Sequence, residues 1–325
     1  MDLSSLDFDS AKASFDKKIT DMTREEVDEV RVSYAQLCQA SEFRLSGEST
    51  FKDFDVASGE SVIRTRVHRP NGYGMFPIVV YFHGGWWVGG DEETCGRICQ
   101  VIADVANVVV VAPGYRLAPE SEFPAPFEDA CRVLDWAIMN AAQLDGDSEV
   151  VAVAGEGTGA ALAAFLTERA TRRGDLVPTL QLLLDPMLPV GSLSEIFHPV
   201  QPVSSPAESM SSFGWSELFS SYSSRIQELM DSEAAVGSEI AARPPVTLVI
   251  GGEASLRDVT LTNYVEGLKR KGGTLGMKYY PQAPLGFISP YGSDNNVGGE
   301  ALRYAARVLR YSLRQGWDPL LGLER

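Results

Sequence analysis

Three short segments carry residues that could do chemistry together. His83-Gly84-Gly85-Trp86-Trp87 follows an apolar run ending at Phe82. Tyr115-Arg-Leu-Ala-Pro-Glu120 follows one ending at Ala112. Gly155-Glu156-Gly157-Thr158-Gly159 lies between an apolar run and a stretch rich in Ala and Leu. The third has the frame of a nucleophile elbow, the strand–turn–helix corner written G-x-S-x-G. A glycine-rich corner of this kind is weak evidence alone, because phosphate-binding turns look similar. The three segments in this order and spacing make a strong signal. Backbone N–H groups of Gly84, Gly85, Trp86 and Thr158 are candidates to stabilise a developing oxyanion. Glu156, beside the corner, and Asp185, at the end of the following apolar run, are the carboxylates placed to move protons.

These residues need a frame, and the hydrophobic pattern supplies one. Residues 51–69 alternate with period two and turn at Ser58-Gly59, which predicts two antiparallel strands. Pro77–Phe82, Val108–Ala112, Val150–Ala154, Leu180–Leu184, Val246–Ile250 and Met277–Tyr280 read as short apolar strands, mostly buried on both faces. Helical periodicity covers residues 127–139, 158–172, 259–271 and 301–314, and the charged first 48 residues also read as helix. Strands alternating with helices predict an α/β fold with a mainly parallel sheet covered on both sides. Residues 187–243 break the alternation with Ser- and Pro-rich loops around an amphipathic piece at 215–230. That length suits a lid over the carboxyl ends of the strands.

Composition excludes several partners. The chain has 325 residues, with 28 Lys and Arg against 44 Asp and Glu, for a net charge of −16. Such a charge repels nucleic acid and anionic membrane surfaces. A hydrophobic share of 44% is that of an ordinary globular protein. The four cysteines, Cys38, Cys95, Cys99 and Cys131, form no C-x-x-C pair, and neither a metal nor a cofactor is expected. The segment MDLSSLDFDS has no apolar signal region, and the apolar run at 101–113 is too short and polar to span a bilayer. A cytoplasmic protein is expected.

Taken together the chain resembles the hormone-sensitive-lipase-like branch of the α/β-hydrolase fold, which includes carboxylesterases and the gibberellin receptors. The resemblance rests on the three segments above, on Arg243-Pro-Pro-Val-Thr-Leu-Val through Ser255-Leu-Arg-Asp258, and on Pro284-Leu285-Gly-Phe287. It implies an eight-stranded, mostly parallel sheet with helices on both faces. It also implies a core of residues 49–186 and 244–325, N-terminal cap helices at 1–48 and a cap insertion at 187–243. Family members often pair through the last strand, so a homodimer near Met277–Tyr280 is an open alternative.

The same resemblance places Gly157, Ala254 and Leu285 where the family carries its catalytic Ser, Asp and His. Of the three histidines, His83 opens the first segment, His68 lies on an early strand and His198 lies in the insertion. Hydrolysis by this fold uses a nucleophile, a base and an orienting carboxylate. Gly157 has no side chain, and Ala254 and Leu285 cannot accept a proton. The sequence therefore points to a pocket that keeps its backbone hole, with the former triad positions lining it and a hydrophobic small molecule as ligand. Trp86, Trp87, Trp215, Phe219 and Phe287 are the candidates to contact that ligand. The expected function is a non-hydrolytic enzyme of natural-product metabolism, of cyclase, lyase or dehydratase, or isomerase type. The alternatives are a small-molecule receptor of the gibberellin-receptor type and a weak hydrolase with an unrecognised catalytic arrangement.

Overall fold

A computed structural model describes residues 22–40, 48–59, 61–122, 124–175, 178–188, 246–256, 259–281, 283, 286–288 and 297–315. The stretch 189–245, which holds His198, Trp215 and Phe219, lies outside the described residues, as do residues 1–21 and Leu285.

Helix α1, Arg24–Ala40, begins with a reciprocal cap. The Glu26 N–H donates to Thr23 Oγ1 at 3.3 Å, and the Thr23 N–H donates to Glu26 Oε2 at 2.8 Å. Val27, Val30 and Tyr34 recur at helical spacing and form its buried face. Strands β1, Thr50–Ser58, and β2, Ser61–Arg69, pair antiparallel in the register Thr50↔Arg69 to Ser58↔Ser61.

The central elements then alternate: β3 Phe76–Phe82, α2 Gly96–Ile102, β4 Val109–Pro113, α3 Ala125–Met139, β5 Gly146–Glu156, α4 Gly159–Arg173 and β6 Leu180–Leu184. After the segment not described come β7 Val246–Gly251, α5 Glu253–Leu256, α6 Val259–Arg270, β8 Leu275–Tyr279 and α7 Val297–Gln315.

The eight strands form one sheet in the order β1-β2-β4-β3-β5-β6-β7-β8. β1, β2 and β4 are joined antiparallel, and every other neighbouring pair is parallel. Strands β4 and β6 are buried at every residue, because helices cover both faces. Ile78, Val80 and Phe82 of β3 join a core with Phe127 of α3 and Leu162 and Phe165 of α4. The intervening Val79 and Tyr81 join the opposite core with Ile102 of α2 and Leu302 and Leu309 of α7. Each such side chain contributes about 1.5–3 kcal/mol by burial.

From β3 the chain first adds β4 on one side and then β5 on the other. That reversal opens a crevice at the carboxyl ends of β3 and β5, where open α/β sheets bind ligands. His83–Gly85 and Gly155–Gly159 leave the sheet at this point.

Candidate functional site

The glycines of the corner are required for different reasons. A Cβ on Gly155 would run into the backbone of Gly159, and one on Gly159 would run into the carbonyls of Phe82 and His83. These two residues let α4 press against β3 and β5. Gly157 has a positive φ of 52°, and a Cβ there would meet nothing nearer than Gly84 Cα at 4.0 Å. Among the described residues, space is therefore open over Gly157 and closed at its two companions.

The facing turn is shaped by hydrogen bonds to its carbonyls. Tyr115 Oη donates to the His83 carbonyl at 2.7 Å, and His83 Nδ1–H donates to the Gly84 carbonyl at 2.6 Å. The His83 ring lies flat on Tyr115, with centroids 4.2 Å apart and 8° between planes. Burial pushes the His83 pKa down to about 4, with the Gly84 carbonyl partly opposing, so the ring stays neutral near pH 7. The Val88 and Gly89 N–H groups both close onto the Gly85 carbonyl. Trp86 and Trp87 between them take φ values of 53° and 66°. Two consecutive non-glycine residues in this region store roughly 1–3 kcal/mol each. With these carbonyls engaged, no backbone acceptor among the described residues takes the N–H of Gly84, Gly85 or Thr158. Those groups are the candidates to meet a carbonyl oxygen at Gly157.

The candidate aromatic residues have different surroundings. Trp87 is 1% exposed and stacks on Phe127 at 5.5 Å, inside the core. Phe287 is buried beside Tyr280 on the opposite face of the sheet. Trp86 is half-buried and meets Tyr34 of α1 edge-on, with centroids 6.1 Å apart and 75° between planes. Helix α1 is fastened here by Arg31. Its Nε donates to the Val88 carbonyl at 2.8 Å, and its NH2 to the Ala118 carbonyl at 3.2 Å. The same guanidinium grips both carboxylate oxygens of Glu120 at 2.8 and 2.7 Å.

Of the two candidate carboxylates, Glu156 is 3% exposed, and a Cβ on Gly84 would meet its Cγ at 3.4 Å. Asp185 is 2% exposed and holds a positive φ of 42°. It accepts from Ser255 Oγ at 2.6 Å, from the Gly252 N–H at 3.3 Å and from the Gly286 N–H. Burial raises its pKa, and these three donors, Ser255 first, act against that rise. The backbone on either side of Asp185 is tied to the corner. The Gly157 N–H donates to the Leu184 carbonyl at 3.1 Å, and the Met187 N–H donates to the Gly157 carbonyl at 2.9 Å.

Asp185 thus ties together the segments that bear Gly157, Ala254 and Leu285. Ala254 lies in the four-residue α5, next to Ser255. Ser255 and Arg31 did not stand out in the sequence. Ser255 reads as a loop residue there, and its one signal is its place beside Ala254. Arg31 has no local signal, since its partners are 57 to 89 residues away.

Comparison with known proteins extends this geometry. A family profile described as alpha/beta hydrolase fold matches residues 79–289. The versiconal hemiacetal acetate esterase of Dothistroma septosporum is 36% identical over 138 residues, covering 42% of each chain. The carboxylic ester hydrolase LipN of Mycobacterium tuberculosis is 27% identical over 275 residues, or 79% of this chain and 69% of LipN. The chain thus spans less than half the length of the first of these relatives.

Among solved structures, the carboxylesterase EstE1, cloned from a metagenomic library, superposes with a TM-score of 0.71 at 30% identity. The match covers 92% of this chain and all of EstE1. A Pyrobaculum calidifontis esterase gives 0.72 at 28% identity, over 95% of this chain and 97% of that one.

These findings correct the functional expectation. The cyclase, lyase and isomerase readings and the receptor reading rested on the side chains absent from Gly157, Ala254 and Leu285. The relatives and structural neighbours are named as esterases and carboxylesterases, which points to hydrolysis. The matched profile, the eight-stranded sheet and the corner at Gly157 place the chain in the α/β-hydrolase fold family, within its hormone-sensitive-lipase-like, carboxylesterase branch.

Proposed function

We propose that this protein hydrolyses a carboxylic ester in the space above Gly157. The observation that carries the reading is the space at Gly157, open among the described residues, beside the Gly84, Gly85 and Thr158 N–H groups, which no described backbone acceptor takes. The esterase names of its relatives support it. The ester carbonyl oxygen accepts from those N–H groups, which stabilise the charge that develops on it.

Gly157 offers no hydroxyl, so the attack is assigned to water. Ser255 and Asp185 form the proton path. A water proton passes to Ser255 Oγ as the Ser255 hydroxyl proton passes to Asp185, and the water oxygen bonds to the carbonyl carbon. When the tetrahedral species collapses, its bond to the alcohol oxygen breaks and the alcohol leaves with the returned proton. The products are one acid and one alcohol. Removal of a serine triad in a related mechanism leaves about 10³–10⁴ over the uncatalysed rate from the hole and binding, so turnover of that modest order is expected.

The test is hydrolysis of p-nitrophenyl butyrate across pH. Asp185 must be ionised to take the proton, and burial raises its pKa. Activity is expected to rise with pH, with a midpoint above the ordinary carboxylate value of about 4. Ser255→Ala leaves Asp185 its two backbone donors and is expected to lower kcat by about 10²-fold, the scale of one proton-transfer group. It should also flatten the acid limb. Turnover no faster than in buffer, or an unchanged pH profile in Ser255→Ala, would overturn the reading.

A further inference from the structure

Arg31 of α1 lies outside the catalytic motifs, yet its guanidinium ends on backbone that shapes the oxyanion turn. Its Nε–H donates to the Val88 carbonyl at 2.8 Å, and its NH2 group donates to the Ala118 carbonyl at 3.2 Å. NH1 and NH2 also hold the two carboxylate oxygens of Glu120, at 2.8 and 2.7 Å. The planar fork of a guanidinium makes these bonds at once, and the Glu120 carboxylate sets its plane.

From these two contacts, chains of peptide groups run into the turn. The Val88 carbonyl shares its peptide with the Gly89 N–H, which donates to the Gly85 carbonyl at 2.8 Å. The Ala118 N–H donates to the Trp87 carbonyl at 2.9 Å. The other end of that peptide, the Val88 N–H, donates to the Gly85 carbonyl at 3.0 Å. Both chains converge on one oxygen, in the peptide that joins Gly85 to Trp86. The Trp86 N–H belongs to that peptide, and the Gly85 N–H stands one Cα before it. Hydrogen-bonded peptides polarise one another, so the charge of Arg31 is felt along the first chain as far as the Gly85–Trp86 peptide.

Between these bonds Trp86 and Trp87 hold their φ values of 53° and 66°. Backbone of this kind persists only where its surroundings over-determine it. Tyr115 holds the turn at the His83 carbonyl, and Arg31 holds it at the Val88 carbonyl.

We propose that Arg31 is a positioning residue for the ester hydrolysis inferred above, on which this role rests: through Val88 and Ala118 it keeps the strained turn closed and the Gly85–Trp86 peptide oriented. Arg31 touches no reacting atom. Its effect falls on the charged intermediate, which depends on donor direction, more than on the neutral ester.

Arg31→Lys keeps the charge and loses the fork that spans both carbonyls and Glu120. The experiment measures kcat and KM for p-nitrophenyl butyrate. It also measures, by calorimetry, binding of the ethyl butylphosphonate monoanion, a stable tetrahedral oxyanion. In Arg31→Lys, kcat and phosphonate affinity are each expected to fall about tenfold, the scale of one charge-assisted hydrogen bond, with KM nearly unchanged. In Arg31→Ala, guanidinium chloride at tens of millimolar should restore part of the lost kcat, and the same concentration of sodium chloride should not.

Equal kcat and equal phosphonate affinity in Arg31→Lys would overturn the role of Arg31 and leave ester hydrolysis standing. A rise in KM at constant kcat would overturn it too, since α1 would then only cover the pocket. So would an equal response of Arg31→Ala to the two salts. A wild type that never turns over the ester, while Arg31→Lys still loses phosphonate affinity, would sink the hydrolytic reading and keep the positioning of the turn.

Discussion

At Gly157 two demands on a residue come apart: the backbone conformation it must hold and the room its side chain would have. A residue other than glycine at φ 52° costs roughly 1–2 kcal/mol, yet a Cβ has 4.0 Å of clearance. Gly157→Ser is therefore expected to lower stability by about 1–2 kcal/mol, measured by denaturant unfolding, and to keep the fold. Gly155→Ala and Gly159→Ala drive a Cβ into backbone that cannot yield. They should cost about 3 kcal/mol or more and lose cooperative unfolding. Three glycines in one motif look alike in the sequence, and their different constraints appear only when α4 is packed on β3. The same blindness misled the functional reading. Missing side chains at 157, 254 and 285 are visible letter by letter, whereas the carboxylate of Asp185 reaching Ser255, Gly252 and Gly286 depends on loops 67 to 101 residues apart.

The elements were far more legible than the contacts between them. Period-two alternation over 51–69 and the short apolar runs correspond to β1 to β8, because a buried strand has little freedom in composition. The Thr23-x-x-Glu26 cap marks where α1 begins. Its docking onto the site is another matter, since Arg31 binds carbonyls rather than side chains and a carbonyl leaves no trace in a sequence. Glu120 is half-exposed, so its ion pair with Arg31 adds little, and the weight falls on the Val88 and Ala118 carbonyls. Arg31→Ala is expected to speed amide hydrogen exchange in α1 by at least about tenfold, the loss of roughly 1.5 kcal/mol from one charge-assisted bond. Exchange in β3 and β5 should not change. Because α1 docks on the turn that carries Trp86 and Val88, kcat should fall in the same variant.

For the whole molecule, pH acts through buried histidines. His68 is 4% exposed, its Nε2 has no hydrogen-bond partner among the described residues, and its pKa falls from 6.5 to about 4 through burial, with the nearby Arg66 charge adding to the shift. His83 shifts the same way. Each is neutral in the fold and takes up its proton more readily when unfolded. Their contribution is present in full above pH 6.5 and is lost as pH falls towards 4. For His68 the loss amounts to about 3 kcal/mol. His68→Phe, far from the site, is expected to flatten the fall in melting temperature between pH 6.5 and 4. The net charge of −16 works in the other direction, since acid relieves self-repulsion, and so does the raised pKa of Asp185. Asp53 and Glu120, held below the ordinary carboxylate range by Arg66 and Arg31, lose their own contribution only as pH falls through that range, so a fall in stability between pH 6.5 and about 5 is assignable to the histidines.

The corner between β5 and α4 also bears on how such a protein changes over generations. Its outer glycines are locked by the architecture, while the central position answers to conformation alone. Substitutions at 157 are filtered by usefulness and by a conformational cost of about 1–2 kcal/mol, with no steric clash added among the described residues. A lineage built on this scaffold can acquire, lose and regain a reactive side chain there by single codon changes, and each intermediate remains a folded protein on which selection can act.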